Sequence, residues 1–360
     1  MPYTTINKPN TQFNTVLWTG NGGTQTITGV GFQPSLVWGK SRSVNYEQSW
    51  IDFVRGGTKY LFSNGNSAES TDANAITSFN ADGFSIGSSP YIGNANGATY
   101  VGWNWLASNS TTSNTSGAIS STVSSNTTNG FSIFTYTGTG ASITTVGHGC
   151  SSEPKFVIVK NRSGTGAWVT YHYGAGATGL GNPNQASLIL NGTNASANPA
   201  SGGYLSDGYF SNVNSTTITL RDVNNANNVN ATGNNYVGYA FAEVKGFSKF
   251  GSYTGNGSTD GTFVYTGFKP AYIMIKVTST TDDWNILDNK RDPENTGSEL
   301  ILYADLNNTE GAAVRGDFLS NGFKCRTTNV SVNSAGATYV YIAFAENPFV
   351  SSTQIPTTAR

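Results

Sequence analysis

The chain has 360 residues, 37% of them hydrophobic and 12% aromatic, and a formal net charge of -1. Charged residues make up 11%, against about 25% in ordinary soluble domains. So neutral a chain has no broad field to gather nucleic acid or an anionic membrane, and its 43 glycines, with abundant Asn, Ser and Thr, favour short strands joined by tight turns.

Residues 1–11, "MPYTTINKPNT", form an N-terminal extension. The start lacks the basic and apolar regions of a secretion signal, which points to release by lysis or by a signal-independent route. From residue 12 a unit begins that recurs. Its leader, "LWTGNGGTQTITGVGFQP", ends at Pro34, and "SLVWGK" ends at Lys40. The same arrangement of proline, short apolar run and lysine returns at Pro154–Lys160 and Pro270–Lys276. Trp50, Trp168 and Trp284 follow as landmarks. Next come "TKYLFSN", "ASLILNG" and "SELILYA", then "DGFSIG", "DGYFSN" and "NGFKCR". Each copy closes with "TYVGWNW", "NYVGYAF" or "TYVYIAF". Landmarks kept in one order mark an internal repeat. The period far exceeds solenoid units of about 20–50 residues, so each copy is expected to be a domain.

The runs are short and rich in Val, Ile, Thr, Tyr, Phe and Trp, which disfavours helix. The expected fold is all-β: three tandem antiparallel β-sandwich domains of jelly-roll, lectin-like form, with roughly 7–10 strands per copy in two sheets. Repeat 1 spans 12–107 and repeat 2 spans 130–245. Repeat 3 spans 246–350, and 351–360 is a flexible tail. Residues 108–129 are so rich in Ser, Thr and Asn that they predict a flexible linker. "ESTDANAITSFNADG" is the best place for a short helical turn. Alternation in the closing strand sends Val101, Trp103 and Trp105 inward. Trp103, Trp105, Phe241 and Phe344, with Trp50, Trp168 and Trp284, are expected core landmarks.

Chemistry-bearing motifs are sparse. His148 and Cys150 form a lone H-x-C pair, short of the three or four ligands that zinc takes. Cys150 and Cys325 make no disulfide framework. The carboxylate pairs Glu47/Asp52, Asp282/Asp283 and Asp292/Glu294 lack any spacing that predicts the facing carboxylates of a glycosidase, and "RDPENTGSE" is at most a weak calcium loop. No nucleotide or nucleophile-elbow motif occurs in context. No catalytic residue, metal or cofactor is therefore assigned. For ligand contact the candidate aromatics are Trp38, Tyr46, Tyr171 and Tyr173.

"LWTGNGGTQTITGVGFQPSLVWGKSR", "WIDFVRGGTKYLFSN", "DGFSIG", "TYVGWNW" and "TYVYIAFAENPF" together resemble a repeat of tail or fibre proteins of marine bacteriophages. That resemblance implies sandwich domains similar to concanavalin-like lectins and a non-enzymatic virion component, a tail fibre or surface appendage that contacts a host receptor. The implied partners are other virion proteins, further copies of the chain (a trimer being one form) and a host-surface glycan. Nucleic acid and membrane insertion are not expected. The alternatives are a free carbohydrate-binding module and a polysaccharide depolymerase on a fibre.

Overall fold

In a computed structural model, residues 3–175, 187–196, 208–221, 228–293, 295 and 297–357 are described. The protein is all-β, and among the described residues the strands pair antiparallel, with one isolated parallel bridge between Ile119 and Val146. Each repeat contributes one large sheet and one three-stranded sheet. The large sheet of repeat 1 runs, in spatial order, Phe13–Thr19, Thr99–Trp105, Leu36–Ser41, Ser49–Asp52, Lys59–Phe62, Ser70–Thr71. Repeat 3 repeats that order with Ser248–Thr254, Thr338–Pro348, Phe268–Val277, Asn285–Asp288, Glu299–Tyr303 and Gly311–Ala313. Repeat 2 follows it from Phe131–Thr137 to Ser187–Ile189 and adds two strands at the near edge, Thr112–Asn114 and Ser121–Asn126.

Those two added strands lie inside the stretch expected to be a linker. Ser121–Asn126 pairs with Phe131–Thr137, placing Val123 opposite Phe134. Residues 108–129 are therefore partly sheet, with two buried apolar side chains, Ile119 and Val123, amid polar ones. The expected helical turn is likewise strand, Ser70–Thr71 and Ile76–Asn80. The terminal segments are tied down too. Ile6 is buried, and Asn7 Nδ2 donates to Ser352 Oγ at 2.7 Å. Ser352 N donates back to Asn7 Oδ1 at 2.8 Å.

Between the large and small sheet of each repeat lies a sandwich core. Repeat 1 fills it with Val16, Trp18, Ile27, Phe84 and Tyr100. Repeat 2 uses Phe134, Val146, Val157, Ile218 and Tyr236. Repeat 3 uses Val264, Ile273, Phe323 and Tyr339. A fourth core, absent from the sequence-based expectation, joins all three repeats. The opposite faces of the large sheets meet there, with Trp38, Trp103, Trp105, Ile158, Tyr239, Phe241, Met274, Ile342 and Phe344 in one cluster. Val101, Trp103 and Trp105 point into this shared centre and not between the sheets of their own sandwich. Burial on both faces explains why the Leu36–Ser41 and Ser49–Asp52 strands are buried at every position; such strands carry continuous apolar runs and no alternation.

Strand register corrects two of the repeat landmarks. Ser49 lies opposite Phe62, Val169 opposite Ile189, and Asn285 opposite Tyr303. The residue preceding each is Gln48, Trp168 and Trp284, so Gln48, not Trp50, is the counterpart of the other two tryptophans. Trp50 instead corresponds to Thr170 and Ile286. In the small sheets, Ile27 faces Phe84, Val146 faces Ile218 and Val264 faces Phe323. The counterpart of "DGFSIG" in repeat 2 is thus the Thr217–Arg221 strand. "DGYFSN" runs into the neighbouring Phe210–Val213 strand.

Candidate functional site: the seams between repeats

Corrected register exposes a set of equivalent contacts across the seams. Trp168 Nε1 donates to Phe62 O at 2.8 Å, Trp284 Nε1 to Ile189 O at 2.9 Å and Gln48 Nε2 to Tyr303 O at 2.6 Å. The acceptors are equivalent carbonyls of the preceding repeat in cyclic order. The recurring lysines do the same. Lys160 Nζ reaches Asn66 O at 3.2 Å, Lys276 Nζ reaches Thr193 O at 3.1 Å and Lys40 Nζ reaches Leu306 O at 2.8 Å. Backbone bonds from Glu69 N to Arg162 O, Ser196 N to Thr278 O and Glu310 N to Arg42 O complete the pattern. Repeat 2 grips repeat 1, repeat 3 grips repeat 2, and repeat 1 grips repeat 3. The ring is closed, as in a cyclic trimer of one heterologous contact.

All three lysines are buried. Desolvation, with Arg291 adding to it, pulls Lys40 down to about 7; desolvation pulls Lys160 and Lys276 to about 8. Carbonyl oxygens supply their hydrogen bonds across the seams.

A second equivalent set lies deeper. Asp52, His172 and Asp288 end the same strand in the three repeats. Asp52 is held by Arg55, both fully buried, and accepts from Tyr239 OH of repeat 2 at 2.7 Å. Asp288 is held by Arg291 and accepts from Trp103 Nε1 of repeat 1 at 3.0 Å. In the third seam the neighbouring residue is Ile342, which has no donor. A carboxylate there would be buried without its cross-seam bond, and a neutral histidine stands instead. His172 Nε2 bonds Tyr341 O at 3.0 Å, and its Nδ1 accepts from Gly174 N at 3.0 Å. Burial pulls its pKa to about 4.

Other sequence candidates meet varied fates. Trp38 and Tyr171 are 1% and 0% exposed, which removes them as ligand contacts: Trp38 packs on Trp50 and Trp103 at the shared centre, and Tyr171 packs on Phe210 in a sandwich core. Tyr46 is half-buried, edge-on to the exposed Tyr91 ring. Tyr173 is exposed, with Lys155 Nζ 4.2 Å from its ring centre. Trp50, Trp168, Trp284, Trp103, Trp105, Phe241 and Phe344 all lie in the shared central cluster. His148 is fully buried, bonds Asn214 O at 3.0 Å and accepts from Cys150 N at 3.1 Å. Its pKa falls to about 4 through burial. The Cys150 thiol is buried and pushed up by desolvation, as is Cys325, to about 11. Glu294 of the candidate calcium loop lies outside the described residues. Among the described residues no three His, Cys, Asp or Glu side chains gather as metal ligands, and no helix is long and apolar enough to cross a membrane.

Asp305 is buried beside Asp283: its pKa is pushed up to about 7 by burial and then by the Asp283 charge, and that of Asp283 is raised by burial and then by Asp282. The feature that sequence reasoning missed is a groove at the seam of repeats 1 and 3, of volume ≈ 400 Å³, lined by the Asn7–Asn10 turn, by Phe13–Thr15, and by Asn289, Lys290 and Ala345–Asn347.

Residues 8–348 match a family described as a domain of unknown function, DUF7483. The chain belongs to that family. No curated protein and no solved structure matches it. The DUF7483 match spans all three repeats as one unit, the span that the closed ring and its shared core also occupy.

Proposed function

We propose that this DUF7483 protein is a non-enzymatic structural component of a virus particle, a tail fibre or surface appendage that presents its outer loops to a host. The observation that carries the reading is where the chemistry-bearing side chains are placed. Buried lysines, Asp–Arg pairs and His172 are engaged in closing the seams. The repeat likeness to phage fibre proteins supplies the particle. A closed body with few charges and tied-down ends suits a part that stands in solvent. Further association, with virion proteins or with other copies of the chain, would use outer surfaces, because the inner sheet faces already meet one another.

The test is immunogold electron microscopy of purified particles with an antibody to this chain. Gold at the tail or on surface projections is the expected result. Particles that carry the chain nowhere, while it is abundant free in the lysate, would refute the reading.

A further inference from the structure

The three seams share one backbone plan and differ in one filling residue. Thr15 lies opposite Trp103, Ile133 opposite Tyr239 and Phe250 opposite Ile342, so the three occupy the same place in their repeats. Ile133 and Phe250 are members of the shared central core, and Phe250 stacks on Phe156. Thr15 is only 3% exposed, and its hydroxyl has no hydrogen-bond partner. It lines the groove of ≈ 400 Å³, within the range of small-ligand pockets, about 300–1,000 Å³.

A small polar residue at a position that is otherwise large and apolar forfeits packing and buries an unsatisfied group. Neither change helps the fold. A second orphan sits in the same wall: Asn289 Oδ1 is buried without a partner. Asn10, Asn347, Lys8 and Lys290 line the groove as well, and their side chains enter none of the hydrogen bonds or ion pairs found among the described residues. Glu346, also in the lining, is held by Lys269 at 2.9 Å, which leaves the two lysines as the groove's unbalanced charge.

We propose that this groove binds a polyhydroxylated carboxylic acid, the chemistry of an acidic sugar residue. Carboxamides and a hydroxyl each donate and accept, as vicinal sugar hydroxyls do. The lysines supply charge-assisted bonds to a carboxylate. The groove and the particle assignment stand on separate observations, and their tests fail separately.

The experiment titrates the full chain with trigalacturonate, sialyllactose and neutral maltotriose, followed by calorimetry and by amide shifts. An acidic sugar binds, and maltotriose binds more weakly. Thr15→Ile, which restores the side-chain class of the other two seams, keeps or raises the melting temperature and weakens the acidic sugar at least about tenfold. Lys290→Gln, on the surface and outside every core, weakens the acidic sugar and leaves maltotriose unchanged. Absence of binding by both acidic sugars at millimolar concentration would overturn the proposal. So would Thr15→Ile binding as the wild type does, or maltotriose binding as tightly as the acids.

Discussion

Asp305 shows how a residue that looks catalytic is explained by its counterparts. Asn64 Oδ1 accepts from Gln48 N at 3.0 Å, Asn191 Oδ1 from Trp168 N at 2.9 Å and Asp305 Oδ1 from Trp284 N at 3.1 Å. Asn64 also donates to Glu47, at the position where Asp305 meets Asp283. Burial, and then the Asp283 charge, push Asp305 up to about 7, and a protonated Asp305 can donate as the asparagine amide does. Its folded value lies above the ordinary 3.8, so the folded chain binds the extra proton between those values. Its stabilising contribution is complete below about 3.8 and is lost as pH rises through 7. Asp305→Asn supplies the donor permanently. It is expected to stabilise the protein by about 1–3 kcal/mol at pH 8 and to change little at pH 4, read from urea unfolding at both values. No gain at pH 8 would contradict the assignment. Little in the sequence warned of this, because the "SN", "LN" and "AD" that follow the three equivalent strands are matched only once register aligns them. The lysines did carry a signal. In a chain with so few charges, a lysine recurring at the end of the same buried strand had a structural duty, but its acceptor lies in another repeat and no local pattern points there.

Among the elements, the strongly apolar strands were legible and the polar ones were not. "LVWGK", "FVIVK" and "YIMIK" are strands because β-branched and aromatic residues fit a sheet buried on both faces. The alternation expected for the closing strand holds, with Val101, Trp103 and Trp105 on one face and Tyr100 on the other, but both of its faces are interior. One departure in that strand has a simple physical cause. Val16 lies opposite Gly102, Phe134 opposite Gly238, and Gly251 opposite Tyr341. A side chain at Gly238 would sit 2.1 Å from the Phe134 ring. Repeat 3 reverses large and small across the pair, hence "TYVYIAF" in place of "TYVGWNW". The order of 108–129 was not legible because its strands are built from Ser, Thr and Asn around a single apolar residue, Val123, with Ser121 and Ser124 buried beside it. Sheet pairing gives it order that its composition hides. Limited proteolysis of the native chain should therefore spare Thr112–Asn126, with cleavage at other exposed loops first. Rapid primary cleavage within 112–126 would show that these strands are not held.

At the scale of the molecule, three copies of one sandwich plan close on themselves. Each has its own small core, and all share a larger one. The repeat and the two-sheet plan were legible in the sequence. The shared core was not, since a tandem repeat says nothing about which faces of its copies meet. Trp105 illustrates the consequence: it touches Phe13 of its own repeat, Phe241 of the second, and Tyr272 and Phe344 of the third. Removing any repeat would strip apolar cover from the other two, and hydrophobic burial is the dominant favourable term in folding. The most direct test is scanning calorimetry of the full chain beside an excised segment 246–349. The account predicts one cooperative transition for the full chain, with calorimetric and van't Hoff enthalpies equal, and no comparable transition for the isolated segment. Three separable transitions, one of them matching a stably folded 246–349, would contradict it.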